Sequence, residues 1–161
     1  SKLVFIYKEL GVETIFKNNE IILRKNNNEL PQNIFFDLKD NPDLAQTIIV
    51  TCLGLGVNCT LSGLHTLKIK ETDRLVALKN EIQKFNVDEI SITNDTIKLV
   101  NKSELKSNVA INTYDDHRMA MSFAALSIVI PLKILEPEVV TKSYRNFWND
   151  FKLLGFDIIE K

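Results

Sequence analysis

The chain has 161 residues, which is enough for one domain with a single sizeable core. Hydrophobic residues make up 45% of it and charged residues 25%, a balance that is typical of folded proteins and excludes an intrinsically disordered segment. Its 20 Lys and Arg residues are balanced by 21 Asp and Glu residues, so the net charge is −1. Broad binding to nucleic acid or to anionic membranes is therefore not expected, because both need an excess of cations.

The apolar segments predict neither a disulfide framework nor a membrane span. Cys52 and Cys59 lie inside apolar runs, which favours buried, reduced thiols over disulfides or a metal site. The longest apolar stretches, about residues 47–57 and 119–132, are shorter than the about 20 residues of a transmembrane helix. Reduced thiols favour a cytoplasmic setting, and no secretory signal pattern follows Ser1. The chain also lacks an initiator Met, which suggests a piece excised from a longer polypeptide.

The first half of the chain predicts two helices, a hairpin and two single strands. Apolar residues at helical spacing before Gly11 predict the first helix, because glycine often follows a helix end. β-branched residues on both sides of Asn18-Asn19 predict the hairpin, since Asn tolerates the backbone of a tight turn. The expected elements are a helix over 3–10, hairpin strands over 12–16 and 21–24, a strand over 34–37, a helix from 42 to about 53 and a strand over 57–61.

The second half predicts the same kinds of element in a similar order. Leu75, Leu78, Ile82 and Phe85 recur at helical spacing, so this helix should bury one face. The expected elements are a helix over 75–85, hairpin strands over 89–93 and 96–100, a strand over 109–112, a helix from 116 to about 129, a strand over 132–135 and a final helix over 144–154.

Residues 75 positions apart match one another. Leu10-Gly11-Val12-Glu13 corresponds to Phe85-Asn86-Val87-Asp88, and Ala45 corresponds to Ala120. The repeated unit combines hairpins with helical crossovers, so we predict an α/β fold of the α+β type, in which mixed sheets are covered by helices. Residues 1–161 would form a single domain of about two such repeats and the start of a third.

Charged residues gather at the predicted helix starts. The segments are Asp43, Lys70-Glu71-Thr72-Asp73-Arg74, Asp115-Asp116-His117-Arg118 and Lys142-Ser143. Acids at such positions are ordinary capping residues, worth about 0.3–1 kcal/mol each. Cations oppose the helix dipole there, so Arg74 and Arg118 should lower stability unless an anion or a nearby carboxylate compensates.

The same segments have the composition of an anion site. Helix N-termini with free N–H groups, beside guanidinium and ammonium groups, suit phosphate and carboxylate. Asp43 and Glu71 are candidate general acids or bases, so the residues favour group transfer between anionic metabolites without a metal or cofactor. His117 is a site candidate, whereas His65 has no partner nearby in sequence and is expected to be structural or solvated.

Four segments carry a family resemblance. They are residues 41–47 (Asn-Pro-Asp-Leu-Ala-Gln-Thr), 63–74 (ending in Lys-Glu-Thr-Asp-Arg), 114–121 (containing Asp-His-Arg-Met-Ala) and 140–144. In order and approximate spacing they resemble the signature segments of the 5-enolpyruvylshikimate-3-phosphate (EPSP) synthase family. The resemblance implies repeated βαβαββ units, an enolpyruvyl transferase-like fold and a second, N-terminal domain.

The resemblance also implies a reaction. The enolpyruvyl group of phosphoenolpyruvate would be transferred to the 5-hydroxyl of shikimate 3-phosphate, with release of phosphate and without metal or organic cofactor. This step belongs to the shikimate pathway of aromatic amino-acid biosynthesis. The implied partners are these two small anionic substrates, with no nucleic acid and no membrane.

By resemblance, four residues take catalytic roles. Asp43 would contact the shikimate hydroxyls and help to deprotonate the attacking one. Glu71 and Lys142 are the candidates for moving protons to and from the phosphoenolpyruvate methylene and the departing phosphate, and the division between them stays open. His117 would support the site.

The resemblance assigns binding roles as well. Arg74, Arg118 and Lys142 would hold the carboxylate and phosphate of phosphoenolpyruvate, and Lys70 would reach shikimate 3-phosphate. Thr66 stands where some family members place an Asn that contacts the shikimate ring, a change that would weaken one hydrogen bond.

Length separates this sequence from the family pattern. Family members are more than twice this size, and their N-terminal part binds most of shikimate 3-phosphate. We therefore expect a C-terminal portion that supplies half an active site and has negligible activity alone. Two alternatives stay open, namely an enolpyruvyl transferase acting on a UDP-amino sugar and a non-catalytic anion-binding module.

Overall fold

A computed structural model describes residues 1–160. The α-helices are α1 (Lys2–Glu9), α2 (Ala45–Leu55), α3 (Arg74–Ile82), α4 (His117–Ala125) and α5 (Phe147–Leu153). The strands are β1 (Val12–Lys17), β2 (Glu20–Lys25), β3 (Asn33–Asp37), β4 (Asn58–Ser62), β5 (Glu89–Ile92), β6 (Ile97–Val100), β7 (Val109–Ile111) and β8 (Leu132–Ile134). Short 3-10 helices span Pro42–Leu44, His65–Ile69, Gln83–Phe85, Leu126–Ile128 and Pro137–Lys142. None of these helices is long and apolar enough to cross a membrane.

Four strands form the largest sheet, in the order β3-β4-β6-β5. Strands β3 and β4 run parallel, whereas β6 is antiparallel to both β4 and β5. Along the chain this sheet is built as β3-α2-β4-α3-β5-β6, which is one βαβαββ unit. The other strands form the antiparallel hairpin β1-β2 and the parallel pair β7-β8. The predicted α/β fold with helices and mixed sheets is therefore confirmed.

Helix α2 lies at the centre of the core. Seven of its 11 residues are buried, and it packs against α3, α4 and β4. Ile48 and Ile49 are fully buried, and burying a side chain of this size stabilises a fold by about 1.5–3 kcal/mol. Because α2 touches both α3 and α4, it fixes the positions of two helices whose first residues carry the predicted site.

The two cysteines belong to this core. Cys52 on α2 and Cys59 on β4 are both free and buried, as predicted. A hydrogen bond between the two thiols, together with burial, raises the pKa of the Cys59 thiol. The protonated, apolar form is therefore the one that packs here.

The hairpin β1-β2 turns an apolar face to solvent. Phe16 and Ile21 lie directly opposite each other, and these two residues and Leu23 are each 66% exposed. In the hairpin β5-β6, Ile97 and Leu99 lie as many residues after the turn as Ile21 and Leu23 do in β1-β2. Both Ile97 and Leu99 are fully buried. The two hairpins share an apolar pattern, but within residues 1–160 only the second has this face covered.

The C-terminal helix differs from the prediction. It was expected over residues 144–154, but α5 spans Phe147–Leu153. Pro137, whose φ is fixed by its ring, opens a 3-10 helix that ends at Lys142. Lys142 is therefore the last residue of a 3-10 helix and does not precede the first turn of an α-helix as predicted.

Three other predicted helices contain a 3-10 turn, and the one expected over 75–85 is α3 followed by the 3-10 turn Gln83–Phe85. The helix expected from residue 42 begins as the 3-10 turn Pro42–Leu44, with Pro42 at its first position, before α2 starts. It ends at Gly56, whose left-handed backbone (φ 71°) is typical of a glycine after a helix. The helix expected over 116–129 is α4 followed by the 3-10 turn Leu126–Ile128.

Candidate active site

Helix α3 begins with an aspartate cap followed directly by an arginine. Asp73 Oδ1 accepts hydrogen bonds from the backbone N–H groups of Leu75 at 3.1 Å and Val76 at 3.2 Å, as Asp commonly does at this position. The cap makes Arg74 the first residue of α3. Only 2% of the Arg74 side chain is exposed, so its guanidinium lies inside the protein and requires anionic partners.

Three carboxylates surround the Arg74 guanidinium. Its Nε donates to Asp116 Oδ2, its Nη1 to Asp43 Oδ1 and its Nη2 to Glu71 Oε2, each at 2.7 Å. Charge-assisted hydrogen bonds of this length are about twice as strong as neutral ones, which offsets the lost hydration of a buried cation. The carboxylate compensation that the sequence predicts for Arg74 is present, and it comes from three segments of the chain.

Asp116 is a site residue whose role the sequence did not reveal. Its side chain is fully buried. Besides Arg74 of α3, it accepts from Gln46 Nε2 of α2 at 3.3 Å and from the backbone N–H of Arg118 in α4 at 2.8 Å. The available signal was its position at the start of a predicted helix. Its partners Gln46 and Arg74 are 70 and 42 residues away, beyond the reach of any local pattern.

Asp43 lies at the open side of this network, and its side chain is 41% exposed. Lys70 Nζ is 3.6 Å from Asp43 Oδ1, and Arg118 Nη2 is 3.9 Å from Asp43 Oδ2. The side chains of Lys70 and Arg118 are 35% and 40% exposed. Such loose, exposed ion pairs contribute about 0–1 kcal/mol, so both cations can turn toward an incoming anion.

Lys142 reaches the same region from the last 3-10 helix. Its Nζ lies 2.7 Å from Asp115 Oδ1 and donates to the Asp115 carbonyl oxygen at 2.9 Å. Asp115 directly precedes Asp116, which forms the Arg74 network together with Arg74, Asp43 and Glu71. Lys142 is therefore anchored one residue from a member of this network. Its side chain is 45% exposed, which leaves the ammonium group accessible.

Two predicted site residues have buried polar atoms without a partner among residues 1–160. These atoms are Thr66 Oγ1 and His117 Nδ1. Buried polar atoms are nearly always hydrogen-bonded, so these two atoms are exceptions among the described residues. His65, which was expected to be structural or solvated, is exposed.

The loops that carry Asp43 and the segment 70–74 approach each other at Gly63. The backbone of Gly63 is left-handed (φ 74°), and a Cβ added there would lie 2.5 Å from the backbone nitrogen of Lys39. Glycine is the residue that tolerates both conditions. Gly63 therefore holds the end of β4 against the loop that follows β3.

The predicted residues fall into three groups. One contact network contains Asp43, Lys70, Glu71, Arg74 and Arg118. Lys142 is attached through Asp115, while Thr66 and His117 have no side-chain hydrogen bond to the network. Within the described residues, no group of three or more His, Cys, Asp or Glu side chains is placed to hold a metal ion. Exposed cations beside two partly exposed acids can bind an anion and exchange protons.

The family model for EPSP synthase (3-phosphoshikimate 1-carboxyvinyltransferase) matches residues 2–151. The chain belongs to the EPSP synthase family. The matched range contains every residue of the Arg74 network, together with Thr66, His117 and Lys142.

Curated members of the EPSP synthase family match this chain over nearly its whole length. The 3-phosphoshikimate 1-carboxyvinyltransferase of Bacteroides fragilis strain YCH46 is 42% identical over 156 residues, which cover 95% of this chain and 38% of that protein. The protein of that name from Methanospirillum hungatei JF-1 is 32% identical over 152 residues, covering 94% of this chain and 35% of its own length. The chain spans about two fifths of the length of these relatives.

Solved structures of EPSP synthase share the fold. A structure of the Acinetobacter baumannii protein aligns with a TM-score of 0.75 over 91% of this chain and 37% of its own, at 19% sequence identity. A second structure of EPSP synthase from the same organism aligns with a TM-score of 0.74 over 99% of this chain, at 18% identity. At such identities the likeness bears on the fold alone.

Proposed function

We propose that this chain is part of a 3-phosphoshikimate 1-carboxyvinyltransferase, which transfers the enolpyruvyl group of phosphoenolpyruvate to the 5-hydroxyl of shikimate 3-phosphate and releases phosphate. The observation that carries the proposal is the Arg74 network. A buried guanidinium orients Asp43 and Glu71, and the exposed cations Lys70 and Arg118 lie at the open side. Family membership supports the same reaction.

The exposed cations suit the charges of both substrates. Phosphoenolpyruvate and shikimate 3-phosphate each carry a phosphate and a carboxylate group. Arg118 and Lys70 lie 3.9 Å and 3.6 Å from Asp43 carboxylate oxygens, distances too long for strong ion pairs. A phosphate or carboxylate can replace Asp43 at Arg118 with little loss, and arginine binds either group through two parallel N–H donors.

The proposed reaction moves protons at two atoms. The shikimate hydroxyl loses its proton as its oxygen bonds to C2 of phosphoenolpyruvate, and C3 gains a proton. C3 then loses a proton as the C2–O bond to phosphate breaks, which restores the double bond. Asp43 is the proposed base for the hydroxyl, and Glu71 and Lys142 are the proposed groups for the C3 protons and the leaving phosphate.

The rest of the site is proposed to come from outside this sequence. The chain covers 38% of its Bacteroides fragilis relative, and an N-terminal domain of the same cytoplasmic protein would close over the substrates. Closure would exclude water and bring the reacting groups together. The 161-residue chain alone is therefore expected to bind anions weakly and to have negligible turnover.

Phosphate release by the full-length parent protein tests this proposal. We expect release only when both phosphoenolpyruvate and shikimate 3-phosphate are present, and none above background from the 161-residue chain under the same conditions. Release with a UDP-amino sugar, but not with shikimate 3-phosphate, would contradict the proposed substrate. Binding of phosphoenolpyruvate without release of its phosphate in the presence of any acceptor would instead favour a non-catalytic anion-binding module.

A further inference from the structure

Helix α3 carries a second buried charged residue, outside the predicted site. Glu81 lies seven positions after Arg74, two helical turns along the same face, and its side chain is fully buried. Its carboxylate accepts hydrogen bonds from Lys84 Nζ at 2.5 Å, the Tyr114 hydroxyl at 2.8 Å and the Asn112 backbone N–H at 3.0 Å. A buried carboxylate requires such partners, and two of these belong to a single loop.

Helix α3 therefore holds the loop between β7 and α4 at both ends. Glu81 binds Asn112 and Tyr114, where the loop begins. Arg74 binds Asp116, where the loop ends. Glu81 and Arg74 belong to one helix and cannot move independently, so α3 fixes the path of the loop.

This loop needs support because its backbone is strained. Tyr114 and Asp115 have φ values of 55° and 54°, in the left-handed region that residues other than glycine rarely adopt. Such conformations persist only where the surroundings impose them. The bend turns both the carbonyl oxygen and the carboxylate of Asp115 toward Lys142, and Glu81 holds the bend through the Tyr114 hydroxyl.

We propose that Glu81 is a positioning residue of the candidate active site, holding the strained loop that in turn places Lys142. The catalytic consequence rests on the proposed function, whereas the geometric role does not. Burial and the hydrogen bond to Glu81 raise the pKa of Tyr114, so the phenol keeps the proton that it donates. Lys84, which is partly exposed, supplies the opposite charge that stabilises the buried carboxylate.

Hydrogen exchange in the full-length protein tests the geometric role. Glu81→Gln keeps the shape of the side chain, but its amide NH2 cannot accept hydrogen bonds, so the loop loses support on one side. We expect amide exchange over residues 112–116 to become about 10-fold faster, with exchange in α2 unchanged. Glu89→Gln, at an exposed carboxylate on β5, is the matched control. It should leave amide exchange unchanged both over residues 112–116 and in α2. Unchanged exchange over residues 112–116 in Glu81→Gln would overturn the inference whatever the activity.

A double-mutant cycle with Lys142→Ala tests the catalytic consequence. In the otherwise unaltered full-length protein, Glu81→Gln should lower kcat for phosphate release about 10-fold and change both KM values less. If Glu81 acts through Lys142, the same substitution in the Lys142→Ala background should lower kcat by less than about twofold. Equal losses in the two backgrounds would indicate general destabilisation and would overturn the inference.

Two further outcomes are separable. An inactive unaltered protein would refute the proposed function alone, because the exchange experiment needs no turnover. If Glu81→Gln also speeds exchange in α2, Tyr114→Phe replaces it, since that variant removes one hydrogen bond and leaves the carboxylate paired. Tyr114→Phe should then reproduce the faster exchange over residues 112–116, and unchanged exchange would again overturn the inference.

Discussion

Arg74 and Asp116 are almost completely buried, and the Arg74 Nε donates to Asp116 Oδ2 at 2.7 Å. Arg74 is the first residue of α3, and Asp116 caps α4. Each charge lowers the cost of burying the other, so the pair acts as one unit that joins two helix starts. The partly exposed acids Asp43 and Glu71 are held by the outer guanidinium nitrogens of the same arginine.

Asp116→Asn should destabilise the protein strongly. The substitution removes the charge with little change in shape and leaves the buried Arg74 with carboxylate partners only at its two outer nitrogens. We therefore expect the free energy of unfolding to fall by about 3 kcal/mol. Urea denaturation measures the change. Glu89→Gln removes one charge from the exposed pair with Lys98 and should cause no measurable loss. Equal losses in the two variants would contradict the structural role of Asp116.

Gly63→Ala should disturb the contact between the end of β4 and the loop that follows β3. The added Cβ would lie 2.5 Å from the Lys39 nitrogen in a left-handed residue, so overpacking should cost about 1–3 kcal/mol in addition to backbone strain. Gly56→Ala is the matched control, because Gly56 is also left-handed but a Cβ there meets no atom within 4 Å. Thermal or urea unfolding should rank Gly63→Ala as clearly the less stable variant. The reverse ranking would mean that the loops do not approach at Gly63.

Tyr114 should make stability depend on pH in the alkaline range. Burial and the hydrogen bond to Glu81 raise its pKa above the ordinary 10.0. As pH rises past about 10, the unfolded chain loses this proton first, so stability that is complete below pH 10 is lost as pH rises through the folded pKa. Tyr114→Phe cannot ionise, so its free energy of unfolding should fall less steeply above that pH. Identical pH dependence in the two proteins would contradict this assignment.

Arg118→Ala should raise the KM for phosphoenolpyruvate in the full-length protein. A hydrogen bond to a charged group contributes about 1.5–3 kcal/mol, so the increase should be about 10- to 100-fold. Arg24→Ala, at an exposed arginine on β2, is the matched control and should leave KM unchanged. Steady-state phosphate release provides the measurement. An unchanged KM in Arg118→Ala would remove this residue from the proposed site.

Local sequence patterns predicted most of the helices and strands, because the interactions that start and end these elements involve residues close together in sequence. The apolar spacing before Gly11 and the Asn-Asn turn at residues 18–19 act within a few residues, and α1 and the hairpin β1-β2 form where they were expected. The C-terminal helix lies within the predicted range, but α5 begins at Phe147, three residues later than predicted. The 3-10 helix Pro137–Lys142 before it was not predicted. A charge at position 142 was visible in the sequence, but the kind of helix that holds it was not.

The sequence predicted which kinds of residue form the candidate site, but not which of them contact one another. The sequence shows that Arg74 needs a carboxylate at a helix N-terminus, but Asp43 and Asp116 are 31 and 42 residues away from it. Long-range partners follow from how α2, α3 and α4 pack, and packing is not encoded in any short pattern. Glu81 was missed for the same reason, because an acid in the second half of a predicted helix is ordinarily solvated.

The apolar face of hairpin β1-β2 bears on how the isolated chain behaves at high concentration. Phe16, Ile21 and Leu23 are exposed on a two-stranded sheet that pairs with no other strand among residues 1–160. Open strand edges with apolar side chains are templates for pairing with other molecules. Self-association would then start from folded molecules, so it would rise with concentration and need no prior unfolding. A charge at position 21 would suppress this association without touching the candidate active site.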